Sequence, residues 1–404
     1  MISRRTLLKQ FSVLPLVGAL FNKGSLITND LRAQVLRRDY FKELGMRTFI
    51  NAAGTYTALT GSLMEPEVIE AIKYASNEYV NLDELQDKVG EQIAAMLHCE
   101  AATVTAGAAS AITLGTAGIL TGLDEDKVIQ LPDLTGMKSE VIIQKQHRIT
   151  YDHAIRNCGV RLVEVETRKD LEAAINEKTA MMWFLNANNY VGHIRDEEFV
   201  EIGKKYGIPT FNDCAADVPP VENLWKYTDM GFDLVTFSGG KGLLGPQSAG
   251  LLLGKKEYIQ AARLHAPPRG NTIGRGMKVN KEEILGMLVA LEIYLEKDHE
   301  SEWKNWESQI KLISDAASSV KGVKTEIHVP DVANHVPSLR ISWDQDKVKI
   351  TTEEVREKLR KGHPSIETVG GEESVDITTW MMLPGQERIV ASRVREILEN
   401  ARDS

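Results

Sequence analysis

The run "TFSGGKGLLGPQSAG", residues 236–250, sets Lys241 among five glycines just beyond an apolar stretch. A lysine amine that loses part of its water shell is a nucleophile near neutral pH and can condense with an aldehyde to an imine. The neighbouring glycines leave it room to be approached. Asp213 closes another apolar stretch, "IPTFND" 208–213, and a buried carboxylate of this kind holds a proton on an opposing ring nitrogen by charge pairing. His147 follows "EVIIQK" 140–145 and offers a flat ring that can stack on a second ring or shuttle a proton. "AGAASA" 106–111 follows "AATVTA" 101–106. A helix starting there presents the N–H groups of Gly107, Ala108 and Ala109 to an anion, and the hydroxyl of Ser238 adds a further donor. An aldehyde, a pyridine nitrogen and a phosphate are the handles of pyridoxal 5′-phosphate, and these residues supply a partner for each.

Taken singly, each residue has a plainer reading. Lys241 reads as a solvated loop lysine, Asp213 as a helix cap and His147 as an ordinary surface or core histidine. "AGAASAITLGTAGIL" reads as a helix made of small residues so that it can pack closely. What joins them is placement, because in an open parallel sheet ligands sit beyond the carboxyl ends of the strands.

The elements that would place them so are visible between residues 64 and 254, where helix-period segments alternate with short β-rich runs. The runs are 101–106, 140–145, 161–166, 180–185, 208–213, 233–238 and 249–254. Helical pieces between them include 66–80, 170–178 and 196–207, the last closing on a glycine. The fold class is α/β: a mainly parallel seven-stranded sheet in a large domain, followed by a small C-terminal α+β domain. The division expected is a leader over 1–33, an N-terminal arm over 34–63 and a cofactor-binding large domain over 64–280. A long connecting helix over 281–320 and the small domain over 321–404 complete it.

The leader is read from "MISRRTLLKQFSVLPLVGALF", where basic residues, a short apolar stretch and polar residues follow one another. Ser3-Arg4-Arg5-Thr6-Leu7-Leu8-Lys9 resembles a twin-arginine export signal, with leucine where phenylalanine is usual. The apolar part is too short to span a bilayer. The expected location is therefore periplasmic or otherwise exported, with the twin-arginine machinery as a partner and no stable membrane insertion. A net charge of −9 speaks against a nucleic-acid partner. Cys99, Cys158 and Cys214 form no C-x-x-C pair, and no H-E-x-x-H or similar cluster appears, so neither a disulfide framework nor a metal is expected.

The blocks "INAAGTYTALTGS" 50–62, "TAGAASAI" 105–112, "HRITYDHAIRNCG" 147–159, "NDCAADVPP" 212–220, the lysine turn and "IGRGMKVNKEEILG" 273–286 resemble those of a known family. It is the branch of fold-type I pyridoxal-phosphate enzymes that holds bacterial selenocysteine synthase (L-seryl-tRNA selenium transferase) and D-glucosaminate-6-phosphate ammonia-lyase. The resemblance implies the fold-type I transferase fold, pyridoxal 5′-phosphate as cofactor, Lys241 as the imine lysine and Asp213 as the partner of the pyridine nitrogen. It implies Ala215 packed against the cofactor ring and His147 stacked on it. It also implies a homodimer or larger homo-oligomer with the active site at the subunit boundary, where Arg275 reaches a neighbour's site. The chain departs from the selenium transferases in lacking room for their extra tRNA-binding domain, in its acidity and in its export signal, which sets aside a role on aminoacyl-tRNA.

The activity expected is that of an exported lyase. It would remove the α-proton of a small amino acid or amino sugar acid with Lys241 as base, then eliminate a β-substituent or ammonia. Arg340 in "PSLRISW" is a candidate for the substrate carboxylate, and equally a surface arginine of a strand. Racemase, aldolase, aminotransferase and selenium transferase-like reactions share the first step and stay open. A Ser-Lys hydrolase built on Ser238 and Lys241 lacks its partner motifs, and a non-enzymatic cofactor-binding protein is the remaining alternative.

Overall fold

The computed structural model describes residues 38–402, so the expected leader lies outside them. Residues up to Thr48 form a unit of their own, whose described part holds the short helix Tyr40–Glu43, capped by the Asp39 side chain. The second unit, 49–404, carries everything below.

Its strands are β1 (Phe49–Asn51), β2 (Ala101–Thr105), β3 (Glu140–Gln144), β4 (Arg161–Val165), β5 (Thr179–Leu185), β6 (Thr210–Asp213) and β7 (Leu234–Ser238). After them come β8 (Gly250–Gly254), β9 (Val323–His328), β10 (Ser338–Trp343), β11 (Ser365–Glu367), β12 (Val369–Gly370) and β13 (Val375–Thr378). Seven of them form one sheet in the order β2-β8-β7-β6-β5-β3-β4. Neighbours from β4 to β7 run parallel, and β8 runs antiparallel between β7 and β2. Two reversals restore direction, so β2, β6 and β7 end on one edge of the sheet.

Side chains alternate across the sheet as a strand's period of two requires. On β5, Met182 and Phe184 join one core, whereas Met181, Trp183 and Leu185 join another on the opposite face. Both faces are covered by helices, which is why these strands read as unbroken apolar runs. The edge strand β4 is the exception, with exposed Arg161 and Glu164 blunting it.

The C-terminal part has its own core, formed by the antiparallel sheet β12-β13-β10-β9 and the helices His299–Ser318, Thr352–Arg360 and Gln386–Arg402. Ile50 and Ala52 belong to this core, because β1 pairs in parallel with β11. Ala52 adds bonds on both sides, its N–H to Glu367 O at 2.9 Å and its carbonyl from Thr378 N–H at 3.0 Å.

The stretch 281–320, expected as one long helix, is two: Lys281–Glu296 and His299–Ser318. Lys297 is extended (φ −65°, ψ 146°). Asp298 then caps the second helix, accepting from Ser301 N at 3.0 Å. A new N-cap ends the old helix here without proline or glycine.

Candidate active site

A cavity of about 640 Å³ opens where β2, β6 and β7 end. Its walls come from three sources: loops after those strands, the N-terminal segment Ala53–Thr57, and the C-terminal part with His328, Asn334, Ser338, Asp376, Thr378 and Trp380. Asn51 shapes the N-terminal segment. Its Oδ1 accepts from the N–H groups of Ala53 and Gly54 at 3.1 and 3.0 Å, while Nδ2 donates to Gly54 O at 3.0 Å, an Asx turn that aims the chain at the cavity.

Lys241, Asp213, Ala215, Ser238, Gly107, Ala108 and Ala109 all line this one cavity. Lys241 Nζ has neither hydrogen bond nor ion pair among the described residues. Burial pushes its proton affinity down, against an opposing pull from Asp213 and Asp217. Asp213 moves the other way: burial raises it, opposed by the Ala215 N–H, 3.1 Å from Oδ1, and by Lys241. Two groups of opposite charge thus each find the cavity a poor place for their charge, which is the condition for nucleophilic and proton-transfer chemistry.

The glycines of the lysine turn have a reason other than access. A Cβ on Gly240 would stand 2.3 Å from Gln247 Cα, and one on Gly242 would stand 2.1 Å from Val218 O. They let the turn fold back on itself and against the loop after β6, and that close packing fixes the backbone that carries Lys241.

The helix Gly107–Thr121 begins at the cavity without a capping side chain, since its N-cap is Ala106. Its first N–H groups are therefore available, beside the Ser238 hydroxyl, to an anion of phosphate size. The unpartnered amine, the buried carboxylate and the uncapped helix start together fit pyridoxal 5′-phosphate.

Three expected residues stand elsewhere. His147 is fully buried behind the wall, edge-on to Phe184 at 4.5 Å between ring centres. Leu185 N–H donates to Nδ1 at 3.1 Å, and Gln144 Nε2 stands 3.2 Å from the ring's Nε2. Gly192 crowds that nitrogen so closely that a Cβ there would lie 2.7 Å away. No face of the ring is free to stack on a cofactor. His147 instead holds the chain at the end of β5, and burial lowers its proton affinity to about 4. The aromatic ring that the same segment brings to the cavity is that of Tyr151.

Arg340 projects from β10 onto the surface, where Glu326 and Asp376 flank it in register on β9 and β13. It bonds Glu326 at 3.2 Å and lies 3.8 Å from Asp376, so a carboxylate separates it from the cavity. Arg275 is exposed and lies outside the cavity of its own chain.

Several wall residues carried no role in the sequence reading. Asp217 is the foremost, a second buried carboxylate four residues after Asp213 whose proton affinity rises to about 6, chiefly through burial. Its signal was present in "NDCAADVPP", where two acids stand one helical turn apart behind a strand. Tyr56, Asn188, Asn334 and Trp380 lie in segments that only the tertiary fold brings together.

Comparison with known proteins bears on family and fold. The family model described as SelA, L-seryl-tRNA selenium transferase, matches residues 49–351. D-glucosaminate-6-phosphate ammonia lyase of Salmonella typhimurium is 30% identical over 379 residues, covering 90% of this chain and 99% of that protein. A 5′-C-glycyluridine monooxygenase-decarboxylase of a Streptomyces species is 26% identical, over 81% of this chain and 83% of the relative. A solved structure of D-glucosaminate-6-phosphate ammonia-lyase superposes with a TM-score of 0.79 at 28% identity, covering 90% of this chain and 99% of that one.

Proposed function

The chain belongs to the SelA family of L-seryl-tRNA selenium transferases and their relatives, and from that premise we propose that it is an exported lyase for a small amino acid or amino sugar acid. The family's cofactor is pyridoxal 5′-phosphate. Lys241 would hold it through Nζ, with Asp213 facing the ring nitrogen and Ala215 beside the ring. Gly107, Ala108, Ala109 and Ser238 would take the phosphate. Once bound, it supplies an aldehyde for the substrate amine and a protonated ring that withdraws electrons from the neighbouring carbon.

The observation that carries the proposal is the unpartnered, partly buried amine of Lys241 on the cavity wall. Released when the substrate amine takes its place on the aldehyde, and with its ammonium form disfavoured by burial, Nζ would be the base that takes the proton from the substrate's α-carbon. The electron pair of that C–H bond would become a carbon–carbon double bond as the β-substituent leaves with a proton, and the released enamine, tautomerised to an imine, would give up ammonia on hydrolysis by water. Asp213 keeps its charge next to the ring nitrogen only when a cation faces it, so it serves the cofactor-loaded enzyme. The 30% identity to an ammonia lyase over almost its whole length favours elimination among the reactions such a site can run.

Purified protein supplied with pyridoxal 5′-phosphate should exchange the α-proton of at least one D- or L-amino acid or amino sugar acid for deuterium and release ammonia or a β-substituent. Borohydride should leave a reduced cofactor adduct on Lys241 in a peptide mass spectrum, and Lys241→Ala should lose both signals. An unmodified position 241 together with no exchange across the panel would falsify the reading.

Export rests on Ser3-Arg4-Arg5-Thr6-Leu7-Leu8-Lys9. The twin-arginine route carries folded proteins, which suits a chain that must take up its cofactor before leaving. Replacing Arg4 and Arg5 with lysine should retain the protein in the cytoplasmic fraction. Equal fractionation of both forms would remove the basis for an exported enzyme.

A further inference from the structure

Two loops from distant parts of the chain meet over the cavity. The first follows β6 and contains Ala216 and Asp217; the second runs from Pro330 to Val336, between β9 and β10. Asp217 is 1% exposed. Its Oδ1 accepts from Asn186 Nδ2 at 2.7 Å and from the backbone N–H of Ala333 at 3.2 Å. Beside it, Asn334 N–H donates to Ala216 O at 2.7 Å. The second loop is thus tied to the first by two adjacent amides.

Those amides point at their acceptors because Ala333 and Asn334 both adopt left-handed backbone, with φ of 49° and 48°. Asparagine tolerates this conformation and alanine does so reluctantly. A strained pair of residues persists where surrounding bonds over-determine it. Asp217 provides a firm base for such bonds: Asn223 Nδ2 holds its carbonyl at 2.7 Å, and Asn186 Nδ2 is also 2.7 Å from the Tyr227 hydroxyl. All of this sits on the large-sheet side, whereas Ala333 and Asn334 line the cavity from the other side.

We propose that Asp217 is a positioning residue whose carboxylate latches the 330–336 loop in place, fixing the substrate-side wall of the cavity. The proposal rests on the reading of this cavity as the place where an amino substrate binds. Asp217 also feels the charges of Asp213 and Lys241, so the rival account is that it acts through its charge. The two accounts part at Asp217→Asn, which keeps an oxygen where Oδ1 stands and removes the charge, and at Asp217→Ala, which removes both.

The test uses the full chain with pyridoxal 5′-phosphate bound and the amino acid that gives the fastest α-proton exchange. In the wild-type protein the amides of Ala333 and Asn334 should be protected from hydrogen exchange without any substrate. Fast exchange there overturns the latch before any variant is made. Asp217→Ala should speed exchange across 330–336 and raise KM by about tenfold, with kcat changed less than about threefold and the cofactor absorbance retained. Asp217→Asn should stay within about threefold of wild type in KM and keep the protection. Equal impairment of both variants with the loop still protected assigns the residue to charge tuning and ends the proposal. Absence of turnover with any amino compound would defeat the lyase reading, and the exchange data would still judge the latch.

Discussion

Burial acts on the buried ionisable side chains of the large domain in opposite directions, and pH separates them. His147 and His265 are both fully buried and held near a proton affinity of about 4. A histidine whose affinity is lowered on folding binds fewer protons in the native than in the unfolded chain. Stability then rises with pH between about 4 and 6.5 and is flat above. Each contributes roughly 3 kcal/mol across that window. Asp217 has the opposite sign: raised to about 6, it favours the folded state at low pH and gives up that contribution as pH climbs through 6. We expect the Tm of the cofactor-saturated protein to fall between pH 6.5 and 4, and to fall less in His147→Asn. Parallel Tm profiles for the two proteins would show that His147 is not the buried neutral ring described above. Lys241 and Asp213 were legible as a pair because Asp213 ends one strand and Lys241 follows three residues after the end of its neighbour. His147 stands there too and still faces away, since the side on which a ring falls after a strand depends on Phe184, Leu185 and Gly192, none of which is near it in sequence.

At the scale of elements, legibility followed burial. All seven strands of the large sheet were readable because helices cover both faces and leave runs such as "AMMWFL" with no polar interruption. β1, β11 and β12 went unread. They are two or three residues long, and β1 exists through pairing with residues more than three hundred positions away. The break at Lys297–Asp298 carried a signal, an aspartate followed three residues later by the Ser301 amide that it caps, but the apolar periodicity on both sides hid it. Arg340 carried one as well. Leu339 and Ile341 point into the small core, so strand alternation places the arginine between them outward, where Glu326 and Asp376 face it across the sheet. The walls of the cavity that come from the Ala53–Thr57 segment and from β13 are fixed by β1 pairing with β11 and by the Thr378–Ala52 bond, and long-range contacts of that kind leave little trace in local sequence.

The whole molecule raises the question of what stands opposite Arg275. Its side chain is exposed and has no partner among the described residues, on a loop between the helices Lys256–Leu264 and Lys281–Glu296 that does not reach the cavity. Leu63, Ile69, Tyr74, Tyr79 and Val80 are exposed as well, between 48% and 103%, and apolar exposure concentrated in so short a stretch suits contact with another protein surface. We propose a homodimer in which Arg275 completes the neighbour's site, supplying a cation to the phosphate end of a cavity whose own lining has no arginine and has in Lys241 a lysine already assigned to the aldehyde. In a symmetric dimer each site would then combine Lys241 of one chain with Arg275 of the other. Lys241→Ala and Arg275→Ala would each be inactive or strongly impaired alone. Unfolded together and refolded as a mixture, half the dimers are mixed, and each mixed dimer has one site with both wild-type residues. Activity should return to about a quarter of wild type. If Arg275 serves its own chain, every site in the mixture lacks one residue and no activity returns, so the recovered rate alone decides whether the site spans two chains.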